Sequence, residues 1–251
     1  MRLTRVYVEA PLVPGSLVEL PPETASHLAK VLRARSGDEL ILFNGDGREF
    51  NGAIEAVRGS RVSASVGDSR PVDRESPLAI TLVQCVPRGD RMDFIVQKAT
   101  ELGVARIVPV LSQRSVVRLD KGQAESKATH WRAVAVSACE QCGRNRLPTI
   151  EAAQQLLNYL GESSPSEGPR LVLEPESATH ARTTAQELGG AAGAIVDAEI
   201  AIGPEGGFAS DELEAFRVAG FSQIGLGPRI LRTETAAIAV VVWLQARFGD
   251  M

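Results

Sequence analysis

From Leu78 the chain reads LAITLVQCV, nine residues with hardly a polar interruption. A strand with one wet face alternates apolar and polar side chains. An unbroken run suits a strand covered on both faces, as in parallel sheets flanked by helices. The rest of the sequence follows that constraint. RMDFIVQKATELGV (91–104) is amphipathic and stops at Gly103, a helix C-cap signal. ARIVPVLS (105–112) reads as a strand, residues 122–142 as a long helix and EAAQQLLNYL (151–160) as another. RLVLEP (170–175) is a strand, with a short helix near TTAQELG (183–189). EIAIG (199–203) is a strand, SDELEAFRVAG (210–220) a helix with Ser210 as N-cap, and SQIGLG (222–227) a strand. RTETAAIAVVVWLQARF (232–248) is a helix that is apolar on most sides. Strands alternating with helices predict an α/β domain with a mostly parallel sheet.

The first 75 or so residues differ. RLTRVYVE alternates, and PPETASHLAKVLRAR (21–35) opens on prolines with Leu28, Val31 and Leu32 at helical spacing. DELILFNGDGREFNGAIEAV (38–57) predicts two strands around an Asn-Gly-Asp-Gly turn, and RVSASVGDSR (61–70) a further strand. Several short strands in so few residues suggest a small barrel or sandwich. SRPVDRESP (69–77) is polar and aperiodic, so it reads as a linker between domains 1–72 and 73–251. GESSPSEGPR (161–170) reads as a mobile loop.

No apolar run approaches the roughly 20 residues of a membrane span. The charged, alternating start is unlike a secretion signal, so a cytoplasmic location without membrane attachment is expected. CEQC (139–142) lies in a helical pattern, and neither a second CxxC nor a spaced His pair completes a zinc site, so no metal is expected. His27, His130 and His180 fall in helical stretches and read as structural.

The formal net charge is −4, unlike a bulk nucleic-acid binder. Its distribution is uneven. Residues 77–150 hold 11 Lys/Arg and 6 Asp/Glu, whereas 151–215 hold 2 and 12. A basic segment beside an acidic one permits a local RNA footprint.

Three turns carry the chemistry: LVLEP (171–175), IGPEGGF (202–208) and LGPRILRTETA (226–236). Each follows a strand end, where open α/β sheets bind ligands. None has the spacing of a dinucleotide fingerprint or a phosphate loop. Bare backbone with apolar walls at Leu226, Ile230 and Leu231 suits an adenosine better than a triphosphate. Thr233 or Thr235 could cap the last helix, with Glu234 suiting its positive end. Alternatively, Arg232 and Glu234 handle a substrate. Glu205, set between glycines, has few structural reasons to be there.

IGPEGGF followed by LGPRILRTETA resembles the signature of SPOUT-class RNA methyltransferases, and more narrowly the RsmE-type ribosomal RNA uridine-N3 methyltransferases. RMDFIVQKATELGV, SQRSVV, ACEQCGRN and LPTI fit that family in order and spacing, as does HLAKVLRARSGDELILFNGDGREF in the first domain. Family members usually carry Glu where this chain has Asp93. The resemblance implies a PUA-like RNA-binding barrel, then a SPOUT domain whose C-terminal segment forms a trefoil knot. It implies a homodimer, built in part on the last helix, and S-adenosylmethionine as cofactor. Leu173, Glu174, Pro175, Ile202, Gly203, Pro204, Glu205, Gly206, Leu226, Gly227, Ile230, Leu231, Thr233 and Ala236 would hold that cofactor. Arg232 and Glu234 would be catalytic. Arg2, Arg5, Arg33, Arg88, Arg114 and Arg144 would contact RNA. The substrate would be one uridine in the decoding region of 16S rRNA, within the small ribosomal subunit. Another SPOUT reaction (ribose 2′-O or tRNA methylation) and a non-catalytic assembly factor are the alternatives.

Overall fold

The computed structural model describes residues 3–162, 168–175 and 195–251. The chain divides into two compact units. One comprises residues 1–75 with 136–147, the other 76–135 with 148–251. The sequence pattern gives no sign that 136–147, the end of a helix and the turn after it, belongs with the first unit.

In the first unit, β1 (Thr4–Tyr7), β2 (Leu17–Glu19), β3 (Glu39–Phe43), β4 (Arg48–Arg58) and β5 (Arg61–Pro71) form a sheet in the order β1-β3-β4-β5-β2. β1 runs parallel to β3 and the other pairs are antiparallel. The β3–β4 hairpin turns at Asn44–Gly47, where Gly45 and Gly47 take the positive φ that the turn needs. β2 carries no alternation in the sequence and was not anticipated. Helix α1 (Pro22–Lys30) starts with a proline in its first turn, as expected, but ends at Lys30. Val31 and Leu32 therefore lie beyond it and are exposed, whereas Leu28 is buried. Val6, Leu40, Leu42, Phe50, Ile54 and Val62 fill the core against α1.

In the second unit, β6 (Ala79–Cys85), β7 (Arg106–Leu111), β8 (Thr149–Ile150), β9 (Gln154–Gln155), β10 (Arg170–Leu173), β11 (Asp197–Ile202) and β12 (Ser222–Ile224) form an all-parallel sheet, ordered β12-β10-β11-β6-β7-β8, with β9 also on β7. β6 is central and buried on both faces, which accounts for its continuous apolar sequence. The pairings of β8 and β9 flank Pro109, which has no N–H to donate. Pairing of Gln154 and Gln155 with β7 takes two residues from the helix expected over 151–160; α4 covers only Leu156–Glu162.

Helices α2 (Arg91–Glu101), α3 (Lys121–Cys142), α5 (Ser210–Val218) and α6 (Thr233–Phe248) complete the described elements. Ile80, Leu82, Ile95, Ile107, Trp131, Ile200, Val240 and Leu244 form one core on one side of the sheet. Val83, Val108, Leu156, Val172, Phe208 and Phe216 form another. Each such aliphatic or aromatic side chain contributes roughly 1.5–3 kcal/mol by leaving water. Gln245 holds α6 in place by donating to Leu102 O at 2.8 Å and accepting from Ser76 Oγ at 2.6 Å. The helix expected near 183–189 and part of the 161–170 loop lie outside the described residues, as does His180. Among the described residues, no helix is long and apolar enough to cross a membrane.

Candidate active site

β12, β10 and β11 are neighbours and parallel, so their carboxyl ends open on the same side. The three turns that leave them wall a cleft of about 390 Å³, within the range of small-molecule sites. Leu173, Glu174, Pro175, Ile202, Gly203, Pro204, Glu205, Leu226, Gly227, Ile230, Leu231, Arg232, Thr233 and Ala236 line it. Gly206 and Glu234 do not. Arg229 does, and so do Gly207 and Arg91, which sequence reasoning left out.

Hydrogen bonds between elements fix the walls. Thr233, the first residue of α6, donates its hydroxyl to Gly203 O at 2.9 Å and accepts from Gln84 Nε2 of β6 at 3.0 Å. It spends its side chain on this bridge rather than on capping; Arg232 is the N-cap and has no side-chain cap bond. Ser210 is not an N-cap either. Ala209 holds that position, and Glu212 reaches back to accept from its N–H at 2.9 Å. The other oxygen of buried Glu212 accepts from Gln113 N at 2.8 Å. One carboxylate thus ties the loop after β7 to the glycine turn.

The glycines differ in purpose. Gly207 and Gly227 have φ of +67° and +86°, and a Cβ at either would meet open space. There the backbone conformation excludes side chains. Gly203 has no such φ; a Cβ there would lie 3.3 Å from the ring of buried Phe208. A valine at 203 would therefore press on the core as well as on the cleft.

Glu205 has a clear partner. Its Oε1 accepts from Arg91 Nη1 at 2.7 Å and from Arg88 N at 3.4 Å. Arg91 Nε also stands 3.9 Å from Glu234 Oε1. The Glu234 side chain is only 16% exposed, and its Oε2 is buried with no hydrogen-bond partner among the described residues. Arg91 thus occupies the cleft wall with carboxylates on two sides, and Glu234 stands behind it. Arg229 and Arg232 are exposed at the rim, beside Ile230.

The arginines assigned to RNA separate into two groups. Arg88 and Arg114 are exposed, and Arg114 Nη1 donates to Gly206 O at 3.1 Å. Arg33 is exposed, with φ of 51° just past α1. Arg2 lies outside the described residues. Arg5 and Arg144 contradict the expectation, being 8% and 4% exposed. Arg5 pairs with Glu49 and donates to Asn145 Oδ1 and Arg144 O. Arg144 pairs with Glu75. Glu49 also accepts from Arg74 at 2.8 Å and Arg70 at 3.1 Å. Burial opposes ionisation of Glu49, but the guanidinium groups of Arg74 and Arg5 win and hold its carboxyl at about 2. A buried charge needs such partners, so Arg5 and Arg144 are committed to the fold. His130 is exposed and bonds Asp93 Oδ2 at 2.7 Å.

The cleft fits an adenosyl group. Its walls combine Leu226, Ile230, Leu231 and Ala236 with main-chain groups of the Gly203–Gly207 and Leu226–Gly227 turns. The open space over Gly207 and Gly227 lets a flat ligand lie against bare backbone. Its fixed cations are Arg91, Arg229 and Arg232, and Arg91 is already paired with Glu205.

An RNA methyltransferase domain matches residues 74–245, and an RNA methyltransferase PUA domain matches 20–66. Ribosomal RNA small subunit methyltransferase E of Buchnera aphidicola (Schizaphis graminum) is 34% identical over 100% of this chain and 98% of its own. The Bacillus subtilis protein of that name is 33% identical over 86% of this chain and 84% of its own. Two solved structures match over 100% of both chains. One is a Legionella pneumophila methyltransferase in complex with SAM (39% identity, TM-score 0.92). The other is ribosomal RNA small subunit methyltransferase E from Neisseria gonorrhoeae bound to S-adenosyl methionine (36%, 0.87). The fold is thus a PUA-like domain followed by a SPOUT-type α/β domain. With full-length identity, both family domains and a cleft at the matching turns, the chain belongs to the RNA methyltransferase family of ribosomal RNA small subunit methyltransferase E.

Proposed function

We propose that the protein methylates N3 of one uridine in the decoding region of 16S rRNA, using S-adenosylmethionine and acting on small ribosomal subunits in the cytoplasm. The observation that carries this is the cleft itself, three adjacent strand ends presenting main chain and apolar walls to an adenosine-sized ligand, rimmed by exposed arginines. Leu173, Gly203, Leu226 and Leu231 would hold the adenosyl part. When bound, the cofactor supplies an electrophilic methyl group. The protein's own tasks are orientation and help with a proton, because uridine N3 is protonated at neutral pH and a poor nucleophile until that proton leaves. The base must be splayed from its stack to expose N3. Arg232 at the rim meets the base, and Glu234 serves it through Arg91. Arg88 and Arg114 hold RNA phosphates beside the turn.

A homodimer fits α6. Ile238, Ala239 and Val242 are only half-buried on an apolar helix, leaving a face for a second copy. Primer extension on rRNA from small subunits of a deletion strain, before and after treatment with the protein and S-adenosylmethionine, tests the activity. N3 methylation blocks the Watson–Crick edge and stops the polymerase at one position. Read-through of treated RNA, or a methyl group placed by mass mapping on a ribose or a tRNA, would overturn the reading.

A further inference from the structure

The reaction also needs a donor held in place where charge develops on the base. When N3 loses its proton, the electron pair of that bond stays on the ring and spreads onto O2 and O4. A fixed donor at those oxygens lowers the barrier because the charge develops there. Arg91 is suited to this. It stands at the start of α2 and lines the cleft, and its side chain is 40% exposed. Glu205 holds its Nη1 at 2.7 Å, and Glu234 lies 3.9 Å from its Nε. Its Nη2 has no hydrogen-bond partner among the described residues. Two carboxylates thus aim a rigid fork and leave one donor nitrogen to spare.

Resting on the activity proposed above, we propose that Arg91 is a catalytic residue that donates to a carbonyl oxygen of the target uracil and stabilises its N3 anion. Glu205 and Glu234 are positioning residues for its guanidinium. In the step, the N3–H bond breaks and its proton goes to water. N3 then bonds to the methyl carbon, and the carbon–sulfur pair stays on sulfur.

The test compares wild type with Arg91→Ala and Arg91→Lys on small subunits containing either uridine or 5-fluorouridine. Fluorine acidifies N3–H, so it substitutes for part of what Arg91 does. Arg91→Ala is expected to lower kcat about a hundredfold on uridine. Its Kd for S-adenosylmethionine by calorimetry and its Tm should stay near wild type. The lysine variant should recover part of the loss, and 5-fluorouridine should rescue Arg91→Ala about tenfold more than wild type. A kcat within threefold of wild type would overturn the assignment. So would equal acceleration of both enzymes by fluorine, or a loss explained by weaker cofactor binding. If wild type itself forms no 3-methyluridine, the proposed activity has failed instead, and the two failures are distinct.

Discussion

Two arginine–carboxylate clusters, one in each unit, use the same chemistry to opposite ends. Around Glu49, the charges of Arg5, Arg70 and Arg74 converge on a carboxylate that is 3% exposed, and both of its oxygens are used. Around Arg91 the inventory reverses: one half-exposed guanidinium faces two carboxylates and stands at a cleft. In the first cluster the carboxylate is closed to water and both of its oxygens are taken, although Arg70 and Arg74 reach the surface, and its partners lie 21 to 44 positions from Glu49 in the chain. The second keeps donor capacity at the surface. A charge with all its valences spent inside the protein maintains shape, whereas one held in place with a valence left over can act on a ligand.

Four experiments sharpen or break that contrast, beginning with the largest effect. Glu49→Ala leaves Arg5 buried without its counter-ion and should cost about 3–5 kcal/mol in urea unfolding, with cofactor affinity unchanged in the protein that remains folded. A loss below about 1 kcal/mol would make the first cluster dispensable. Next, Arg232→Ala should reduce methyl transfer about a hundredfold or more while calorimetry still detects S-adenosylmethionine. Full rate on small subunits would remove Arg232 from the site.

The third concerns pH. Glu49 has its carboxyl depressed to about 2, so its contribution to stability is complete above the ordinary carboxylate range and fades as pH falls through that range toward 2. The gap in urea midpoint between wild type and Glu49→Gln should therefore narrow from pH 6 to pH 3. A gap that widens would reverse the sign of the linkage. The smallest effect is a control. Arg217 pairs with Glu214 at 2.6 Å on the exposed face of α5, and Arg217→Ala should leave Tm within error. A measurable drop would mean that exposure does not separate the two kinds of pair.

What could be read in advance follows the same division. The β6 run, the alternation of strands and helices and the three glycine turns were legible because each is local. Cleft-lining residues such as Leu226 and Ile230 were legible because they adjoin a visible motif. Arg5 and Arg144 misled, because a lone arginine in sequence looks the same whether it faces RNA or a buried glutamate. Arg144's partner is 69 residues away and Arg5's is 44 away. Arg91 was missed for the converse reason, since Glu205 lies 114 positions downstream and Glu234 further still. One signal was present, for Arg91 opens the helix just after β6, at the same carboxyl edge as the three turns. The family's knot could not have come from periodicity, which carries no information about threading.

Glu212 gives the site a mechanical property. With one oxygen on Gln113 and the other on Ala209, it yokes the arm bearing Arg114 to the end of the glycine turn that walls the cleft. Arg114 Nη1 joins the same two loops again by donating to Gly206 O at 3.1 Å, so a displacement of either loop is passed to the other.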